Sequence, residues 1–179
     1  MKREDGFSLI EVMIATGILA TGLLALVGLM TFGLSQITGS SATLIAREKA
    51  REAVESVHTA RDMGELSWST IQNDDKEDGV FLVGEQPLTT PGEDGLVNTA
   101  DDGPVEKIQM PGKDKLLGTA DDDFLPLDNF TREIRITDLT KNGSAAINEN
   151  LREITVIIRY KVQNQQRSYT LRTYVSKFA

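Results

Sequence analysis

The sequence contains no cysteine, only one histidine in 179 residues, and no surplus of positive charge. Without cysteine no disulfide can tie its loops, and thiol chemistry is excluded. The single imidazole, His58, falls on a charged helical face, which all but removes histidine-based catalysis and a histidine-rich metal centre. The net charge is −8 and unevenly spread: between Asn73 and Asp128 fifteen Asp/Glu face four Lys/Arg, a block of −11, while the rest sums to about +3. An acidic surface repels phosphate, so nucleic-acid binding through a basic patch is disfavoured. These absences argue against an enzyme and leave a structural or binding protein.

What the chain does have is concentrated at its start. A short charged leader, Met1 to Gly6, precedes Phe7-Ser8-Leu9-Ile10-Glu11-Val12 and an almost unbroken apolar run to about Leu34. The run is long enough to cross a bilayer, which takes about 20 residues. A secretory signal would have an apolar core of about 7–15 residues followed by its cleavage site; here the run is longer and the small residue stands before it. Glu11 sits inside the run with no neighbouring cation in sequence. A carboxylate at membrane depth is costly and marks a functional position.

Gly6-Phe7-Ser8-Leu9-Ile10-Glu11-Val12 resembles the processing and assembly motif of type IV prepilins and the related pseudopilins. The resemblance implies a prepilin peptidase that cuts after Gly6 and methylates the new amine of Phe7. It implies that Glu11 pairs with that amine on a neighbouring subunit, setting register. It also implies an α+β, pilin-like fold, in which a long helix packs on a small antiparallel β-sheet head. The expected place is the inner membrane before assembly and a periplasmic or extracellular filament afterwards, with other pilin or pseudopilin subunits as partners. The closing strands look similar to those of minor pilins and of the minor pseudopilins of type II secretion, so a minor subunit is expected. The alternative from another class is a membrane-anchored or filament-tip module that binds through calcium-held loops.

The pattern along the chain divides it into a leader (1–6), a transmembrane or filament-core helix (7–34), an amphipathic helix of the head (35–64), an acidic loop-rich region (65–130) and an antiparallel sheet (131–179). Ile37, Leu44, Ile45, Ala53, Val54 and Val57 recur at helical steps and predict one buried face. Gly28, where many major pilins carry a helix-breaking proline, is either a soft point or a packing glycine. Gly64 predicts the helix end. Val80–Val83 reads as a short strand. Alternation over Thr131–Thr137, Ile154–Val162 and Tyr169–Val175 predicts three more, the last two joined as a hairpin around 163–166.

The acidic region holds an internal repeat. Residues 91–102 recur as 111–122, with Pro, Gly, Asp, Leu, Thr, Ala, Asp and Asp in identical register. Two copies are too few for a solenoid, so they are paired loops. Each copy offers an aspartate and then an aspartate pair: Asp94, Asp101 and Asp102, then Asp114, Asp121 and Asp122. Calcium takes six to eight oxygens in a flexible cage, and these two triads are the expected ligands. Lys113 and Lys115 make the second copy the weaker candidate. The competing reading is a pair of solvated turns, since Asp, Gly and Thr favour turns without any metal.

Overall fold

The computed structural model describes residues 6–141, 146–162 and 164–178, without the side chains of 35–38. One helix, α1 (Leu9–Asp62), is followed by β1 (Gln86–Pro87), β2 (Lys107–Met110), β3 (Asp123–Pro126), β4 (Phe130–Thr140), β5 (Ile147–Val162) and β6 (Gln165–Ser176). Two compact units divide at Ser41/Ala42. The leader residues 1–5, the side chain of Ile37 and the hairpin residue Gln163 lie outside the described residues.

The first unit is apolar helix. Its hydrophobic side chains are exposed, from Leu9 (81%) to Leu34 (66%). Thr16, Thr21 and Thr31 turn their hydroxyls back onto the carbonyls of Met13, Ile18 and Val27. That satisfies each hydroxyl within the helix, as an apolar surrounding requires. Helical geometry continues through Gly28, so no local melting is seen there.

In the second unit the head forms around the sheet β1-β4-β5-β6, antiparallel throughout. Ile154, Val156, Ile158, Tyr160 and Val162 of β5 all point into the core, with Ile134 and Ile136 of β4 and Val175 of β6. The helix meets this core with a stripe of small residues, Ala46, Ala50, Ala53, Val57 and Ala60, all buried. Ala53 and Val57 of the expected face lie on this stripe and Ile45 and Val54 pack against the core partly buried, whereas Leu44 is 59% exposed and Ala46, Ala50 and Ala60 take the remaining places. Alanine lets the sheet approach the helix backbone closely, so the buried stripe runs through the residues with the weakest hydrophobic signal. Above it, Thr43 shares a hydrogen bond with the Tyr160 hydroxyl (2.9 Å).

Gly64 terminates α1 as expected. It has φ +79°, its N–H donates to Arg61 O, and that of Glu65 to Ala60 O. This pair of bonds satisfies two carbonyls left over at the helix end, and the left-handed residue costs glycine little. Val80–Val83 forms no strand; it contributes one isolated bridge, Asn73 to Phe81, and the buried Phe81 ring.

The edge of β4 beside β1 is closed by side chains. Asn73 donates to Ile134 O (2.7 Å) and accepts from Ile136 N (2.8 Å); Asn98 donates to Arg132 O (3.1 Å). Two buried amides thus do for β4 what a longer β1 would have done, because buried backbone polar groups need partners.

Candidate functional site

Two places hold the residues singled out in the sequence. At the N-terminus Gly6 and Phe7 precede the helix in irregular structure and are exposed, and the helix starts at Leu9. Ser8 O accepts from the N–H groups of Glu11 (3.0 Å) and Val12 (3.2 Å), closing the first turn. Phe7, Glu11, Val12, Ala15, Thr16 and Leu19 line one shallow, largely apolar groove. Phe7 and Glu11 therefore border a common surface, with the candidate scissile bond on accessible backbone just before it. A peptidase needs such an unhindered backbone. Within the described residues no cation is paired with Glu11.

The other place is the repeat, whose two copies fold alike. In each, the first aspartate accepts from the N–H two residues on: Leu96 on Asp94 and Leu116 on Asp114, both 2.8 Å. The next aspartate accepts from the threonine hydroxyl: Thr99 on Asp101 and Thr119 on Asp121, both 2.8 Å. The last accepts from backbone N–H groups of the left-handed turn: Asn98 and Thr99 on Asp102, Gly118 and Thr119 on Asp122. Asn98 and Gly118 occupy the same left-handed position, with φ +63° and +87°. The carboxylates thus replace missing backbone partners, an Asx-turn arrangement.

Hydrogen bonds from Thr99 and from Thr119 hold Asp101 and Asp121 below the usual carboxylate range. For Asp122, desolvation pushes the other way, but the donated bonds of Gly118, Thr119 and Gln109 together outweigh it. All three carboxylates are therefore charged at neutral pH.

The copies differ in what surrounds them. In the first, Asn98 Oδ1 accepts from Arg132 Nε at 2.6 Å, Thr89 O accepts from Nη2 at 3.3 Å, and Asp102 Oδ2 lies 3.9 Å from Nη2. Arg132 is fully buried. Burial works against its charge, and Asp102, Glu52 and Glu106 oppose that effect; an arginine keeps its proton in any case. Lys49 of the helix bridges Glu52 and Glu106. The first loop is therefore held by an internal cation. In the second copy, Asp114, Asp121 and Asp122 each offer an oxygen, all within 4.8 Å of one another, the one such group among the described residues. Three hard carboxylate oxygens so placed fit calcium chemistry. The geometry ranks the copies opposite to the sequence expectation, because Arg132 serves the first.

Arg132 is a functional residue that the motifs and the repeat do not point to. Its sequence signal is parity: it lies on the Ile134 and Ile136 face of β4, where a cation must be buried and partnered.

In comparison with known proteins, residues 1–27 match the prokaryotic N-terminal methylation motif. The match supports a type IV pilin-like prepilin, a structural class of protein, processed by a peptidase and anchored in a membrane before assembly. Helix and sheet agree with it: the head is an α+β, pilin-like fold. No curated protein and no solved structure matched the chain.

Proposed function

We propose that this chain is a filament subunit of the type IV pilin kind, cut after Gly6 and methylated on Phe7. The observation that carries the reading is the methylation motif, set on exposed backbone directly before an apolar helix. In this reading Glu11 pairs with the new N-terminal amine of a neighbour inside the filament. A carboxylate buried without a partner costs several kcal/mol, so the pairing fixes register. Mass spectrometry of the membrane form from cells with and without a prepilin peptidase tests the proposal. The expected product begins at methylated Phe7 and disappears with the peptidase; an intact N-terminus in assembled filaments overturns it. The finer reading, a minor subunit of a type IV pilus or a type II secretion pseudopilus, rests on the bulk of the acidic region, which dense packing of a main subunit has to accommodate.

A second reading is favoured by the grouping of Asp114, Asp121 and Asp122: calcium fixes the second loop, as part of a filament head or of a calcium-dependent binding module. Asp94, Asp101 and Asp102 would then play a structural part only. Thermal unfolding of the full chain in detergent, with calcium, magnesium or chelator, decides it. A ligand at a hundred times its dissociation constant stabilises by about 2.7 kcal/mol, and magnesium is expected to replace calcium poorly. Identical curves in calcium and chelator remove the reading.

A further inference from the structure

We propose that copies of this chain dock head to tail, the β2–β3 hairpin of one subunit lying on the free β6 edge of the next. β6 is the last strand of the sheet, and no described strand pairs with its outer side over Gln165–Ser176. A long unpaired edge is a template for a further strand. From Gln165 to Phe178 the chain carries Arg167, Arg172 and Lys177 and no Asp or Glu, and it exposes Tyr174 (55%) and Phe178 (69%).

The hairpin has the complementary chemistry. Over 107–126 it carries four Asp against three Lys, with Asp121, Asp122 and Asp123 together leading into β3, and beside that acidic run it exposes Leu116 (62%), Leu117 (63%), Phe124 (61%) and Leu125 (49%). The repeat sharpens this. Leu96 and Val97, which stand in the same places in the first copy, are 2% and 0% exposed in the chain's own core. The same loop that closes onto protein in one copy presents its apolar pair outward in the other.

The occupant follows from charge and topology together. The acidic run Asp121, Asp122 and Asp123 of the hairpin and the cations Arg167, Arg172 and Lys177 along β6 and just past it are the two members of a locally complementary pair. The hairpin leaves the head beside β1: Glu106 donates to Leu88 O, and Leu127 to Glu106 O. β1 and β6 are the opposite edges of the sheet, about 14 Å apart at a spacing of about 4.8 Å per strand. Donor and acceptor are thus different surfaces, and such heterologous contacts propagate an open chain instead of closing a dimer. The docking does not depend on cleavage after Gly6, and a minor subunit satisfies it with a short run of adjacent copies.

The absence of cysteine makes the test clean. The full-length chain in native membranes, carrying Leu117→Cys and Tyr174→Cys together, is treated with a short bis-maleimide. Dimers, trimers and higher bands are expected, several-fold above either single variant, because each chain then holds one donor and one acceptor site. Arg172→Glu should lower the yield several-fold, and adding Asp123→Lys should restore it. Both positions are exposed, so loss of yield is not loss of fold, and Trp68 fluorescence checks that. A dimer from one single variant without a ladder, a bond within one chain only, or adducts only with other proteins would overturn the proposal. Correct processing at Gly6 alongside a failed ladder rejects the docking and leaves the filament reading standing.

Discussion

Residues 91–102 and 111–122 share eight of twelve residues and one backbone, yet the first buries Leu96 to Thr99 and the second leaves Leu116 and Leu117 exposed. Local chemistry makes both loops: equivalent aspartates accept equivalent N–H groups, and the two copies turn left-handed at Asn98 and Gly118. The environment makes the difference. Asn98 is one of the few residues besides glycine that tolerates the left-handed region, and its side chain reaches Arg132 from there. Gly118 has no side chain to reach with. One copy buries a Leu-Val pair, worth about 1.5–3 kcal/mol per side chain; the other leaves Leu116 and Leu117 in the open. Loops of one backbone that share eight of twelve residues thus serve as a structural part in one place and a free surface in the other, and the Asn98–Arg132 contact is found only in the first.

The strongest way to break the contrast is Arg132→Ala. It leaves Asn98 and Asp102 without their cation in a closed space, and removing one partner of a buried pair costs about 3–5 kcal/mol. Urea unfolding of the full chain in detergent, followed by the single tryptophan Trp68, measures it; that ring lies 4.4 Å from the Arg152 guanidinium in the head. A change within error would mean that the first loop does not need its lock.

Leu96→Ala comes next, with an expected loss of about 2–5 kcal/mol for a buried leucine. Leu116→Ala, its counterpart, should stay within about 0.5 kcal/mol, as exposed substitutions do. Equal effects would erase the distinction between core and surface copies.

Exchanging the turn residues sharpens it further. Asn98→Gly keeps the left-handed turn but drops the bonds to Arg132 Nε and O, at about 1–3 kcal/mol for partners left unsatisfied. Gly118→Asn should cost about 1 kcal/mol: the added side chain meets open space, but at φ +87° any residue other than glycine is strained, asparagine among the least. Gly112→Ala tests the loop itself: its Cβ would lie 2.1 Å from Asp121 O, a backbone atom that cannot step aside. Loss of amide protection confined to 111–122 is the expected signature.

The smallest expected effect is that of pH on the carboxylates both copies share. Asp101, Asp121 and Asp122 are held below their ordinary range when folded. For Glu133 and Asp138, burial acts upward, but Arg135 with Arg159, and Lys76 with Arg152, outweigh it. A carboxyl that is more acidic folded than unfolded stabilises fully above the unfolded value, about 4. That stability fades as pH falls through the lower folded value. Urea midpoints should be level from neutrality to about pH 5 and drop below about pH 4; a midpoint that rises on acidification would contradict these directions.

The sequence by itself determined the apolar helix, the methylation motif, the helix stop at Gly64 and the strand alternation of β4, β5 and β6. Each is a local pattern, set by residue type and spacing within a few residues. It also announced the repeat, because identity in register needs no structure to be seen. Tertiary structure decided the rest. The helix face is an alanine stripe because close approach to a sheet rewards small residues, and no periodicity of large apolar side chains reports that. Asn73 and Asn98 close the edge of β4 because it runs beyond its short β1 partner, a shortage visible only once the strands are paired. And which repeat copy becomes core was settled by Arg132, tens of residues away in sequence. A buried charge chooses its partners by distance in space, and the sequence carries no such distance.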